Sequence, residues 1–259
     1  MDLAALFASL PFSPMDWLLI AVTLAGAYVV FGIAGFGTAL VAAPLLLHVM
    51  PLAKIIPLLV LLDFVAALGN LLPSRQDVAR RELLRLLPCM ALGCTLGVVF
   101  LLSLKSDLLL LAMGVFVTAY ALYSLASTVR PATLSPRWAV PAGVVGGLFG
   151  ALFGSGGFLY AIYLNARLPD KDQARATQSA LISCSTLIRL ALLLIAGVYA
   201  DAALLLLAAC LLPAMALGLW VGRRLTLNMS RERFVRLVTW LVLASGIVLV
   251  GRYFVAGPG

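Results

Sequence analysis

Residues 86–97 read LLPCMALGCTLG and residues 211–222 read LLPAMALGLWVG, so two stretches 125 residues apart agree at eight of twelve positions. A second landmark recurs in the same order. Gly35 and Gly37 in FGIAGFGTALVAAPLLL have counterparts at Gly154 and Gly156 in GLFGALFGSGGFLYAIYL, 119 residues later. The chain is written twice. Such a repeat bears on function because membrane transporters are commonly built from two related halves with the substrate site between them.

Composition decides which solvent the repeat inhabits. Of 259 residues, 64% are hydrophobic and 11% charged, with mean hydropathy +1.13, far too little polar surface to coat a soluble globule. Apolar runs fall at 17–31, 55–72, 86–104, 108–127, 138–153, 176–197, 202–222 and 234–254. Most are long enough for helices crossing ~30 Å of hydrocarbon at ~1.5 Å per residue. The continuous Leu, Ala and Val runs lack the alternation of a membrane β-barrel. The expected fold is therefore an all-α polytopic membrane protein forming a single membrane domain.

The first 53 residues contain no Lys or Arg, so the basic n-region of a cleaved signal peptide is missing. Pro11 and Pro14 are expected to hold the start out of helix, with Asp16 capping a helix that begins at Trp17. Trp17 and Trp138 open equivalent segments and suit interfacial anchoring. Cys89, Cys94, Cys184 and Cys210 all lie in apolar segments without a CxxC pair, and the chain has one His. That pattern predicts small packing residues, and no metal or other cofactor.

Net charge +8 raises nucleic acid as a partner, but the placement of the cations argues against it. Loop 73–85 holds Arg75, Arg80, Arg81 and Arg85; loop 129–137 holds Arg130 and Arg137; loop 165–175 holds Arg167, Lys171 and Arg175; loop 223–236 holds five more Arg. All fourteen can be cytoplasmic together, which leaves Lys54, Lys105 and Arg252 outside and Arg189 within the membrane. Segment 17–50 must then begin and end outside, and segment 138–166 must begin and end inside. Each is read as a broken or re-entrant helical hairpin followed by three transmembrane helices. The result is two inverted repeats, about 15–128 and about 138–255, joined by a cytoplasmic linker at 129–137, with both termini outside.

Gly35 and Gly37 in one hairpin, and Gly154, Ser155, Gly156 and Gly157 in the other, supply backbone that turns sharply. Non-helical backbone at membrane depth survives where protein or a watery cavity shields it. Short helices at 38–50 and 158–165 would aim free N–H groups and positive dipole ends at the bends, with Thr38 at the first turn. Two such ends meeting make an anion site. Gly93 and Gly97, like Gly218 and Gly222, read instead as close-packing positions.

Asp63 and Arg189 fall at similar depth, each near the middle of an apolar helix. A charge there costs roughly 2.5–3.5 kcal/mol on insertion scales, so each needs compensation. Two readings stand: a structural ion pair between them, or Arg189 holding a substrate anion while Asp63 tunes it or carries a coupling proton. Gln178, Ser185 and Arg189 fall within about 40° on a helical wheel, with Ser179, Ser183 and Thr186 on the adjoining face. Asn70 and Asn165 are further polar candidates. His48 and Lys54 belong near the outer surface, and Asp107 and Asp201 suit N-caps.

GIAGFGTALVAAPLLL with the Lys54 to Leu72 helix, LLPCMALGCTLG, and GLFGALFGSGGFLYAIYLNARLPDKDQARATQSALI resemble, in this order, the sulfite exporter TauE/SafE family of small bacterial permeases. The resemblance covers nearly the whole chain. It implies an inner-membrane transporter for a small anion such as sulfite, a sulfonate or a related organic acid. Thr38 stands where many members carry glycine, and Asp63 where an uncharged amide is common. The partners expected are the anion, membrane lipid and a coupling proton or cation, with a homo-oligomer compatible. A non-transporting membrane scaffold or assembly factor, or an anion channel, is the alternative. An enzyme is disfavoured, since no nucleophile with a base, metal cluster or phosphate-binding loop is seen.

Overall fold

In a computed structural model describing residues 12–68, 77–104 and 134–226, with isolated positions between 108 and 122 and Leu243, every regular element among the described residues is helical. Asn70, Lys105, Asp107, Arg252 and the expected helix at 234–254, apart from Leu243, lie outside the described residues.

Helix α1 spans Pro14–Ala34 and starts three residues earlier than the sequence reading placed it. Ser13, not Asp16, is its N-cap. The Ser13 hydroxyl accepts the Asp16 N–H at 3.2 Å and the Asp16 carboxylate accepts the Ser13 N–H at 2.9 Å, a reciprocal capping box. Pro14 does not break this helix, because at its first position the missing N–H would have been unpaired anyway. Gly35, at φ +80°, ends α1 by donating its N–H to Phe31 O.

Beyond Gly37, at φ +94°, the chain restarts as the short helix α2, Thr38–Leu46, and then as α3, Leu52–Leu68. Helix α4 covers Arg80–Ser103. The second half begins with a single 3-10 turn at Pro136–Trp138 that leads into α5, Ala139–Phe153, which Gly154 ends at φ +60°. The chain again restarts as a short helix, α6, Gly157–Arg167. Helix α7, Lys171–Ile195, is N-capped by Asp170, and α8 covers Ala202–Thr226. Asp201 caps α8 as expected, accepting the Ala203 N–H at 3.0 Å. Among the described residues four segments are long and apolar enough to cross a membrane: Pro14–Ile33, Arg80–Ser103, Asp172–Ile195 and Ala202–Leu225.

Glycine determines which helices lie together. A Cβ added at Gly93 of α4 would collide with Val144 O of α5, and one added at Gly97 would lie 2.6 Å from the Ala151 Cβ. On the other pair, a Cβ at Gly218 of α8 would collide with Ala25 O of α1, and one at Gly222 with Val29 O. Residues 25 and 29 of α1 are offset by 119 from residues 144 and 148 of α5, the separation that the glycine breaks also show. Each copy of LLPxMALGxxxG therefore packs on the opening helix of the other half. Cys89 and Cys94 sit in the same tight seam, against Gly143 and Gly147.

Side chains from two of the basic loops, and a backbone carbonyl from a third, meet at one end of the molecule. Glu82, 5% exposed, accepts from Arg85 at 2.8 Å, Tyr163 at 2.6 Å and Arg167 at 3.2 Å, while Arg167 also donates to Leu134 O. The Ala79 N–H donates to Thr177 Oγ1 near the start of α7. Beyond the far end of α7, an exposed ion pair joins Lys54 to Asp201 at 3.6 Å, and the Tyr199 hydroxyl donates to Pro57 O. Because Leu134 precedes α5 and Arg167 closes α6, the α5–α6 hairpin leaves from and returns to the Glu82 end.

Candidate functional site

The two helix breaks meet. A Cβ added at Gly154 would lie 2.9 Å from the Ala39 Cβ, and one at Gly157 would lie 2.8 Å from the Phe36 Cβ. The first turns of α2 and α6, each with free backbone N–H groups and a partial positive charge, thus converge. Between them lies a small cavity lined by Thr38, Asp63, Gly154, Gly156, Gly157, Ser185 and Arg189, with Phe31, Phe36, Gly150, Tyr160 and Ile182 on its other faces. It has room for little more than a water molecule.

Arg189, 5% exposed, enters this cavity from α7. Its Nη1 donates to Gly150 O at 2.8 Å and its Nη2 to Thr186 Oγ1 at 3.1 Å. Gly150 lies in the last turn of α5, at the negative end of the helix dipole, and its carbonyl, which also accepts the Gly154 N–H at 3.0 Å, anchors the guanidinium through its second lone pair. Its Nε is buried and makes no hydrogen bond. The Ser155 hydroxyl in the bend is in the same condition, and the Tyr160 hydroxyl has only Ser185 beside it. Two unpartnered buried donors within one bend and its cavity are poorly matched to apolar contents and well matched to an acceptor-rich anion.

Asp63, also 5% exposed, does not pair with Arg189 within 4 Å although both line the cavity. Its Oδ1 accepts from Tyr28 at 2.9 Å and its Oδ2 from Thr38 at 3.2 Å. The direct ion pair, one of the two sequence readings, is therefore absent. Backbone at the end of α5 satisfies the cation, and two hydroxyls satisfy the carboxylate.

A protein-family model described as Sulfite exporter TauE/SafE matches residues 18–249, nearly the whole chain. The chain belongs to the sulfite exporter TauE/SafE family. Neither the curated proteins nor the solved structures yield a match. TauE/SafE members are membrane transporters of sulfur anions, which sets the chain among transport proteins rather than enzymes.

Within this TauE/SafE chain the expected site residues divide. Gly35, Gly37 and Ser155 shape the bends without lining the cavity, and Gln178 reaches the second bend, donating to Gly157 O at 3.1 Å. Ser183 stands apart, its hydroxyl bonded to Ser179 O one turn back on its own helix. Asn165 and His48 are exposed. Tyr28, Tyr160 and the Gly150 carbonyl belong to the site and escaped the sequence reading. A phenol inside an otherwise apolar run was the available signal for the two tyrosines.

The bends tolerate no side chain cheaply. Alanine at Gly37 or Gly154 would take a left-handed conformation costing roughly 1–2 kcal/mol, and at Gly154 would also crowd Ala39. Gly154→Ala is expected to lower the thermal midpoint of the detergent-purified protein, whereas Gly26→Ala, with open space around its Cβ, is not. Equal midpoints for the two variants would show that the bend bears no strain.

Proposed function

We propose that this protein is a secondary transporter for a small sulfur-containing anion, sulfite or a sulfonate, working by alternating access between two inverted repeats. The observation that carries the reading is Arg189. A buried guanidinium at the cavity wall, tied to backbone and with its Nε unbonded, offers a charge-assisted bond to whatever acceptor arrives. The converging N-termini of α2 and α6 add positive potential from two directions.

The repeats are taken as about 15–128 and about 138–255 with linker 129–137. The matched glycine seams, α4 on α5 and α8 on α1, support a two-fold relation between them. The bonds of Arg85 and Arg167 to Glu82, and of Arg167 to Leu134 O, support placing the basic loops they belong to or border on one side, the cytoplasmic one by charge bias. Lys54 and Asp201 then face outward, in a bacterial inner membrane with both termini outside. In the conformation described the cavity has room for little more than a water molecule, so admitting an anion calls for one repeat to rock against the other.

The test is flux in proteoliposomes against a panel of sulfite, thiosulfate, methanesulfonate and acetate. Saturable uptake of a sulfur anion, with acetate excluded, is the expected result. No flux for any of the four would favour a scaffold, and non-saturating conductance would favour an anion channel.

A further inference from the structure

We propose that Asp63 is a proton-binding site that couples anion movement to the proton gradient, an inference that rests on the transport reading above. Its geometry differs from that of a structural carboxylate. A carboxylate locked in an ion pair resists protonation, because the partner charge would be left buried and alone. Here the cation at the same cavity is held by Gly150 O and Thr186 instead, and the carboxylate is held by the hydroxyls of Tyr28 and Thr38. A hydroxyl can donate or accept. With Asp63 ionised, both hydroxyls donate to it. With Asp63 protonated, its new O–H donates to the oxygen of one of these hydroxyls while the other still donates to the carboxyl. The carboxyl keeps hydrogen-bond partners in either state.

Charge supplies the coupling. Tyr28 faces Asp63 from α1 and Thr38 from α2. Arg189 shares the cavity from α7, and Tyr199, beyond α7, lies within electrostatic reach of both charges. Among the described residues that line the cavity, Asp63 is the sole carboxylate and Arg189 the sole cation, so the site is neutral with both ionised. A monoanion on Arg189 makes it negative in a medium of low dielectric constant. One proton on Asp63 restores neutrality. The anion and the Asp63 carboxylate also compete for the same positive helix end, since Thr38 is both the first residue of α2 and a partner of Asp63. Anion binding therefore favours a proton on Asp63, and by reciprocity the proton favours the anion. Tyr28 and Thr38 flank the bend at residues 35–37, so the proton reverses a hydrogen bond anchored beside the element expected to move.

No covalent step is involved; a proton passes from water on one side to an Asp63 oxygen and leaves to water on the other. The experiment uses full-length protein in liposomes with membrane potential clamped and external pH fixed, so that external sulfite keeps one speciation while internal pH is raised. For an anion carried with one proton, each pH unit is worth about a tenfold change in accumulation. With each ratio divided by the trapping that sulfite's own deprotonation inside would give, wild type is expected to show that dependence, Asp63→Glu to retain it, and Asp63→Asn to show a ratio near one with or without the gradient. Sulfite's own protonation is common to all three and cancels in the comparison. Sulfite flux in wild type that ignores the gradient, follows a sodium gradient instead, or stays gradient-driven in Asp63→Asn overturns the coupling role and leaves the transport reading intact. Absence of sulfite flux in wild type overturns this inference; absence across the whole anion panel overturns the transport reading as well.

Discussion

Arg189→Ala is expected to reduce sulfite flux by about a hundredfold or more, the loss typical of removing a preorganised charged donor from a site screened from water. The substitution is unusually clean. Gly150 O keeps the bond it accepts from the Gly154 N–H, and the Thr186 hydroxyl keeps its own bond to Ile182 O, so truncation orphans neither group. Arg189→Lys is expected to recover little. A single ammonium cannot reach Gly150 O and Thr186 while still presenting a third donor toward the cavity, which the planar guanidinium does. Flux and thermal midpoint measured on the same preparations separate the outcomes. Wild-type flux in Arg189→Ala removes Arg189 from the site, whereas lost flux at an unchanged midpoint is the signature of a binding role.

The largest expected effect on stability comes from the glycine seams. Gly93→Val and Gly218→Val should each prevent recovery of folded, monodisperse protein, because the new side chain would occupy the space of Val144 O or Ala25 O. Backbone cannot rotate aside as a side chain can, so the two helices must separate along the seam. Overpacking of a tight core typically costs about 1–3 kcal/mol, and a backbone collision belongs at or above the upper end. The control lies on α1 itself: Gly26, next to Ala25, has nothing within 4 Å of its Cβ, and Gly26→Ala should be accepted. Normal yield and midpoint for both valine variants would mean that the helices are not packed as described.

Much of this arrangement was legible in the sequence, for physical reasons that differ from residue to residue. The bends at 35–37 and 154–156 were visible because left-handed backbone calls for glycine, and three of these six positions have positive φ. That Asp63 and Arg189 reach a common cavity followed from counting residues into their helices. How they are satisfied there did not follow, because a carbonyl such as Gly150 O carries no residue-type signature and any residue could have provided it. Tyr28 and Tyr160 were hidden by their apolar bodies, which read as core until the hydroxyl's surroundings are known. Taking proline as a helix breaker puts the start of α1 at Trp17, whereas Ser13 at the N-cap makes Pro14 a favourable first residue. Glu82 stands in the sequence as one acid among basic residues, with nothing to mark that it is buried and gathers side chains from α4 and α6.

The crossed packing of the repeated helices also constrains how the protein is made. When α4 has been synthesised, its glycine face has no partner until residues 139–153 have followed, and the matching face of α1 waits for residues 202–226. Insertion into the bilayer must therefore run ahead of assembly, with two small-residue grooves open to lipid in the meantime. A fragment ending at residue 138 would contain α1 and α4 but neither of the helices that meet them at the glycine seams. Expressed alone it should be inserted yet remain unassembled, and it should be rescued by co-expression of the remainder of the chain.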